Sequence, residues 1–439
     1  MFESATNIYE SLFGTNTYKY KQIIKWGSVA KNYGKRYEDN DESPLSKMLA
    51  NFDINTVDKD GKNLLHHFAD KDSKLLKILL DHGININQPD NLGQTPIFYT
   101  TPSSFEFFMN NGADLLWRNK QGHSVLHKIS NSFFTEEPSQ LIELGKKKGI
   151  NLIDYSEYPP EEILHRAIVF RDREKMKMIL EEDTSYSNKL IENKYFHTRL
   201  FGIELSPLYV ACYNTLYEEV ELLVEYGADP REPLLLWRLI PLSCRKPSAF
   251  IRIIQRLVDL GADIHEKTIL HECYRSAELM QIFLKAGCDI RKRTDPGNEY
   301  YHWFKGHCLA DAEPLHYCAY LFQEIRVLEL LFEYGADPNV QNMYGVSPFM
   351  SLLNSSGIAR FSPTDIREAV QLFLDRGANI HLTDNRGNTI FRYLYDNDYL
   401  SNDKKALIVR IIREREKFFV LEPRINEIIY KLLGRSANV

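Results

Sequence analysis

An internal period constrains this chain more tightly than its length does. From Glu313 to Met350 the sequence reads EPLHYCAYLFQEIRVLELLFEYGADPNVQNMYGVSPFM. Pro314-Leu315-His316 opens one helix, apolar residues at helical spacing carry a second through Leu331 and Phe332, and Gly335-Ala336-Asp337 ends it. Fifteen residues after Gly335 the opening recurs at Ser347-Pro348-Phe349-Met350. Each residue type has a mechanical reason. Ser or Thr before Pro caps a helix by accepting a backbone N–H, and Pro suits the first helical position because its missing donor costs nothing there. Gly after the second helix takes the left-handed conformation that stops it, and the chain then crosses outward as a finger.

The beat extends well beyond this stretch. Helix openings align at His66, Phe98, His127, His165, Tyr209, Trp237, His271, His316, Met350 and Arg392. Helix ends follow at Gly83, Gly112, Gly145, Asp183, Gly227, Gly261, Gly287, Gly335 and Gly377. An opening-to-end distance of 18 occurs for 127 to 145, 165 to 183 and 209 to 227. An end-to-opening distance of 15 occurs for 83 to 98, 112 to 127, 335 to 350 and 377 to 392. Paired apolar residues precede the ends, as at Leu79-Leu80, Leu223-Val224, Phe283-Leu284 and Phe373-Leu374.

With T/S-P-L-H at one end, L-L-x-x-G-A-D at the other and a beat of about 33 residues, the unit resembles the ankyrin repeat. The resemblance covers residues 42–400 and implies an all-α fold of helical hairpins with short β-hairpin fingers, a solenoid of about ten repeats with helical caps. Residues 1–41 are then an N-terminal cap segment and 401–439 a C-terminal helical cap. Departures from the beat mark insertions near 184–204, 240–248, 289–313 and 354–365, which are expected to loop away from one continuous stack.

Composition excludes several other classes. A net charge of −6 over 439 residues argues against nucleic acid as the main partner. No apolar run reaches membrane-spanning length and the first residues carry no signal-peptide pattern. Six cysteines without paired spacing point to free thiols in an intracellular, reducing compartment. One segment is basic: from Ser11 to Tyr37 there is no acidic residue, while Lys19, Lys21, Lys25, Lys31, Lys35 and Arg36 alternate with Tyr18, Tyr20, Trp26, Tyr33 and Tyr37. Residues 18–37 therefore suit either a solvated capping helix or a membrane surface.

Chemistry has few footholds. Cys212, Cys273, Cys288 and Cys318 fall in small, buried slots of the repeat, and only Cys244 and Cys308 lie in insertions. Cys308 with His302, His307 and Asp311 supplies a nucleophile, a base and an orienting carboxylate on paper, so a cysteine-dependent hydrolase is the alternative reading. His302, His307, Cys308, His316 and Cys318 lack the CxxC spacing of a zinc site. There is no phosphate-binding glycine loop, so no cofactor is expected. His127, His165, His271 and His316 are expected to bond backbone groups of the neighbouring hairpin.

What remains is surface, and stacked repeats build an extended recognition face. Large side chains at finger tips stand out: Trp117, Arg118 and Tyr344. So do Tyr301, Trp303 and Phe304, in an insertion preceded by Arg291-Lys292-Arg293. These six are the partner-contact candidates, since aromatic and Arg side chains dominate interface energetics. The expected function is that of a monomeric scaffold or adaptor for a protein partner. Divergent repeats with aromatic insertions are similar to ankyrin proteins that intracellular bacteria or large viruses direct at host proteins, which would place the chain in a host cytoplasm and its partner among host proteins. No F-box-like segment occurs at either end.

Overall fold

The computed structural model describes residues 20, 21, 23, 24, 49, 52–130, 137–192, 204–242, 247–265, 268–295 and 309–415. The chain forms two compact units, Met1–Ala228 and Asp229–Val439. Among the described residues each is built from paired helices joined by tight fingers. The first holds α1 Leu64–Phe68, α2 Ser73–Asp81, α3 Pro102–Asn110, α4 Val125–Ile129, α5 Glu137–Lys147, α6 Ile163–Phe170, α7 Arg173–Glu182, α8 Pro207–Tyr213 and α9 Tyr217–Glu225. The second holds α10 Leu235–Leu239, α11 Pro247–Asp259, α12 Ile269–Glu272, α13 Ala277–Lys285, α14 Pro314–Tyr320, α15 Ile325–Glu333, α16 Pro348–Leu353, α17 Pro363–Asp375, α18 Ile390–Asp396 and α19 Asn402–Arg415.

The expected start and stop signals work as physics demands. Ser206 accepts from the Tyr209 N–H at 2.9 Å and Ser347 from that of Met350 at 3.3 Å, each just ahead of a first-turn proline. Gly83, Gly112, Gly227, Gly261, Gly287, Gly335 and Gly377 close their helices at φ between 81° and 93°. Gly145 differs. It lies inside α5, where a Cβ would meet Leu152 at 2.9 Å, and the chain turns away two residues past the end of α5 at Gly149 with φ 73°. Here glycine serves close packing, and the next glycine makes the stop.

The first helices of successive pairs are tied by histidine. Nε2 of His66, His165, His271 and His316 donates to the carbonyls of Gln94, Leu205, Ala312 and Val346 at 2.9–3.0 Å. Nδ1 of His66 and His316 accepts from its own N-cap backbone at 3.1 and 3.3 Å, which fixes the neutral tautomer. Cys212, Cys273, Cys288 and Cys318 are all buried free thiols.

Insertions are pinned at their bases. Ile191 pairs antiparallel with Leu205 as β1 (Ile191–Glu192) and β2 (Glu204–Leu205), the single two-stranded sheet among the described residues. Thr294 N–H donates to Ala312 at 3.0 Å and its hydroxyl to Leu309 at 2.7 Å, closing the stem of the 289–313 insertion. The 354–365 insertion does not loop away. Asn397 donates to the carbonyls of Leu353 and Ser355, Lys404 donates to those of Ala359 and Phe361, and Phe361 packs on Phe322 at 4.6 Å. These carbonyls are satisfied by the following helix pair, so the segment is held against the stack with Ser355, Gly357 and Ile358 buried.

Tyr20 and Ile23 point inward: both are buried, and Tyr20 donates its hydroxyl to the Lys62 carbonyl. Lys21 is exposed on the same turn, the other aromatic and basic residues of 18–37 lie outside the described residues, and so does the second half of the C-terminal cap. No described helix is long and apolar enough to cross a membrane.

Candidate partner-binding surface

Five fingers share one construction. Asp58, Asp90, Asn119, Asn342 and Asp384 each begin a D/N-x-x-G turn. In each, side-chain Oδ1 accepts two backbone N–H groups, two and four residues on, at 2.8–3.0 Å. The turn therefore holds its shape without a strand on either side. Adjacent fingers are joined edge to edge by Asn91 N–H to Asp60, Lys120 N–H to Leu92 and Asn385 N–H to Tyr344, at 2.9–3.1 Å.

Where the finger residue is Asp, its second oxygen is also used. Nine residues on, at the fourth position of the short helix that follows, stands a ring that meets Oδ2: His67 on Asp58 at 2.9 Å, Tyr99 on Asp90 at 2.7 Å and Tyr393 on Asp384 at 2.8 Å. Hydrogen bonds from backbone and ring outweigh the cost of burial and hold the Asp58 and Asp384 carboxyls below their ordinary range. Where the finger residue is Asn, no ring follows. Asn119 is followed by Lys128 and Asn342 by Ser351.

Lys128 is half-buried and, among the described residues, makes no ion pair with a carboxylate. Its ammonium donates to Gln94 Oε1 at 2.9 Å and lies 3.9 Å from the centroid of the Tyr99 ring. Lys62 lies over the same ring at 4.5 Å. Burial pushes the Lys128 amine down to about 8, opposed in part by the Asp90 charge and reinforced by Lys62.

The sequence candidates take varied positions. Trp117 is half-buried, its indole N–H donating to the Gly93 carbonyl at 2.7 Å. Arg118 spans two carboxylates, Asp154 at 2.6 Å and Glu157 at 2.7 Å. Glu157 is nearly inaccessible and also accepts both the N–H and the hydroxyl of Ser124 at 2.9 Å. His127, expected to bond the next hairpin, instead stacks between His123 at 3.8 Å and Tyr158 at 5.0 Å, with Nδ1 3.7 Å from Glu157. Tyr344 lines a cleft of about 290 Å³ with Asn354, Asp384, Arg386, Arg392 and Tyr393.

Tyr301, Trp303 and Phe304 lie outside the described residues, as do Cys308, His302, His307 and Cys244. Asp311 is described, and its carboxylate accepts from Arg293 at 2.7 Å. Arg293 also reaches Glu313 at 3.5 Å, so within the described residues Asp311 acts as part of the insertion stem.

Reading the sequence missed the apolar finger residues. Leu92 and Leu116 are 61% and 63% exposed on neighbouring fingers, and Val57 and Met343 are exposed on theirs. Trp117 bridges the first two by its bond to Gly93. For Leu92 the signal was present, since the D-x-L-G turn at Asp90–Gly93 is an exposed finger tip where a leucine stands out.

Comparison with known proteins bears on the repeat itself. The family model described as ankyrin repeats in three copies matches residues 37–104, and that described as ankyrin repeat matches 313–343. The chain carries ankyrin repeats. They imply a role in protein–protein interaction. A curated ankyrin repeat protein of Acanthamoeba polyphaga mimivirus is 23% identical over 397 residues, covering 80% of this chain and 48% of that protein. The chain thus spans about half the length of that relative. The crystal structure of the ankyrin repeat domain of Bcl-3, a member of the IkappaB protein family, is similar at 19% identity and a TM-score of 0.39, covering 57% of this chain and 97% of that domain.

Proposed function

We propose that this chain is a binding scaffold whose partner protein seats on the fingers of the first unit. The carrying observation is the pair Leu92 and Leu116, each more than three-fifths exposed beside half-buried Trp117. Exposed apolar side chains clustered around an anchored aromatic ring are what a recognition surface needs: the ring is already ordered, and the leucines bring area to be dehydrated. The charged rim of Lys62, Lys128 and Arg118 adds orientation. In this reading the partner is a protein of a eukaryotic host cell, a choice supported by the similarity to a viral ankyrin protein.

The test is affinity capture from amoebal lysate with wild-type protein, a Leu92→Asp/Leu116→Asp variant and a Met178→Asp control. Met178 is 62% exposed on α7, away from the fingers. Loss of the same captured protein from the finger variant alone, with circular dichroism unchanged, supports the reading. Equal capture by all three overturns it.

A further inference from the structure

The finger rule leaves one cation without its counterpart. In three fingers an Asp is matched nine residues later by a ring that hydrogen-bonds it. At Asn119 the position nine residues on is Lys128, the one place in these five fingers where a cation stands in the ring's slot. An aspartate at 119 would offer that ammonium a negative charge, whereas asparagine offers none. The amine turns back onto the preceding repeat, to the neutral amide of Gln94 and the face of Tyr99. Lys62 approaches the same ring, so two ammonium groups share one aromatic partner and repel each other, with Asp90 as the opposing charge. Of the three acids whose charge reaches Tyr99, two are already engaged, and the third, Asp60, is exposed on its finger. Asp90 is buried and accepts from Tyr99, Leu92 and Gln94, and Asp58 accepts from His67, Asp60 and Lys62 N–H. Among the described residues neither lysine ammonium makes an ion pair.

We propose that Lys62, Tyr99 and Lys128 form an anchor for a carboxylate on an acidic segment of the partner, which enters beside the Tyr99 ring between the two ammonium groups. This rests on the protein-binding reading above and names the chemistry of one contact within it. The carboxylate supplies the charge that Asn119 withholds, and its oxygens accept an N–H hydrogen bond from the ammonium on each side. Binding is then linked to protonation. The titratable groups facing Lys128 are Asp90, Tyr99 and Lys62, and burial holds the free amine near 8, so a bound carboxylate must raise it.

The probe is fluorescein-labelled hexaglutamate, followed by polarisation from pH 6.5 to 9.5 at low salt. Affinity is expected to be level below about pH 8 and to fall toward tenfold per pH unit above it, where an ordinary exposed lysine would hold until about pH 10. Lys128→Met is expected to weaken binding at least tenfold, and Asn119→Asp, which fills the site from within, to do the same with Lys128 intact. Lys77→Met, on an exposed i,i+4 pair with Asp81, should leave it unchanged. Hexaglutamate should also protect Lys128 from trace acetylation. Equal affinity for wild type and both finger variants overturns the anchor, as does binding of tripolyphosphate without binding of the peptide. Either outcome leaves the Leu92/Leu116 capture experiment to decide the wider reading.

Discussion

Tyr99 donates its hydroxyl to Asp90 at 2.7 Å, and Tyr393 repeats that bond to Asp384 at 2.8 Å in the other unit. In both, one carboxylate holds its own turn with one oxygen and clasps the following helix with the other. Finger and helix are thereby one mechanical piece. Tyr393→Phe should cost about 1.5–3 kcal/mol, because the acceptor is charged and nearly inaccessible. Urea denaturation of Tyr393→Phe, Asp384→Asn and the double variant checks this. Additive losses would show that the two groups are not coupled.

Gly335 and Gly345 separate two roles of the same residue. Both have positive φ, at 90° and 77°, but a Cβ on Gly335 meets open space while one on Gly345 meets Asn385 N at 2.8 Å. Gly335→Ala should cost about 1–2 kcal/mol for the left-handed conformation alone. Gly345→Ala should cost more, because it also pries apart two fingers. Equal denaturation midpoints would contradict the finger contact.

Acid should weaken the fold before its carboxylates titrate. Burial pushes His165 and His316 down to about 3 and His271 to about 4, although each donates to a carbonyl that favours the proton. The unfolded chain takes up these protons near pH 6.5, so below that pH it binds more protons than the folded chain. Stability should therefore fall as pH drops from about 6.5 toward 4, and stay level in these groups above about 7. Asp58 and Asp384, held below 3.8, add their loss only at lower pH. Urea midpoints at pH 7.5, 6.5, 5.5 and 4.5 measure the slope, and a flat profile across that range would contradict neutral, buried histidines.

Arg118 should behave as a structural residue before it behaves as a contact. Its removal leaves Glu157, whose side chain is 4% exposed, with Ser124 and the 3.7 Å His127 as its partners among the described residues. Arg118→Ala is expected to lose roughly 1.5–3 kcal/mol, and Arg118→Lys to recover only part of it because the bidentate span is lost. Thermal melts of both variants decide, and unchanged melting of Arg118→Ala would return the residue to the exposed surface.

Much of this was legible in order along the chain. Ser206-Pro207, Ser347-Pro348 and the glycines at 83, 227 and 335 act locally, through backbone conformations that depend on immediate neighbours. The buried cysteines followed from their register within the unit. Gly145 misled because a glycine can be selected for closeness to Leu152 as well as for φ, and the two look alike in a sequence. Trp117 and Arg118 were picked out by residue type, but their bonds to Gly93, Asp154 and Glu157 join positions 24, 36 and 39 residues apart.

The sequence by itself determined the repeat, its openings and stops, and the slots that must be small, because each is set by the chemistry of a few adjacent residues. Only the tertiary structure decided which finger side chains are spent and which are left over. Whether Tyr99 meets Asp90, whether the insertion at 354–365 is stitched down by Asn397 and Lys404, and whether Lys128 finds a counter-charge depend on which repeat lies next to which. Those distances arise from packing, which a one-dimensional period leaves open.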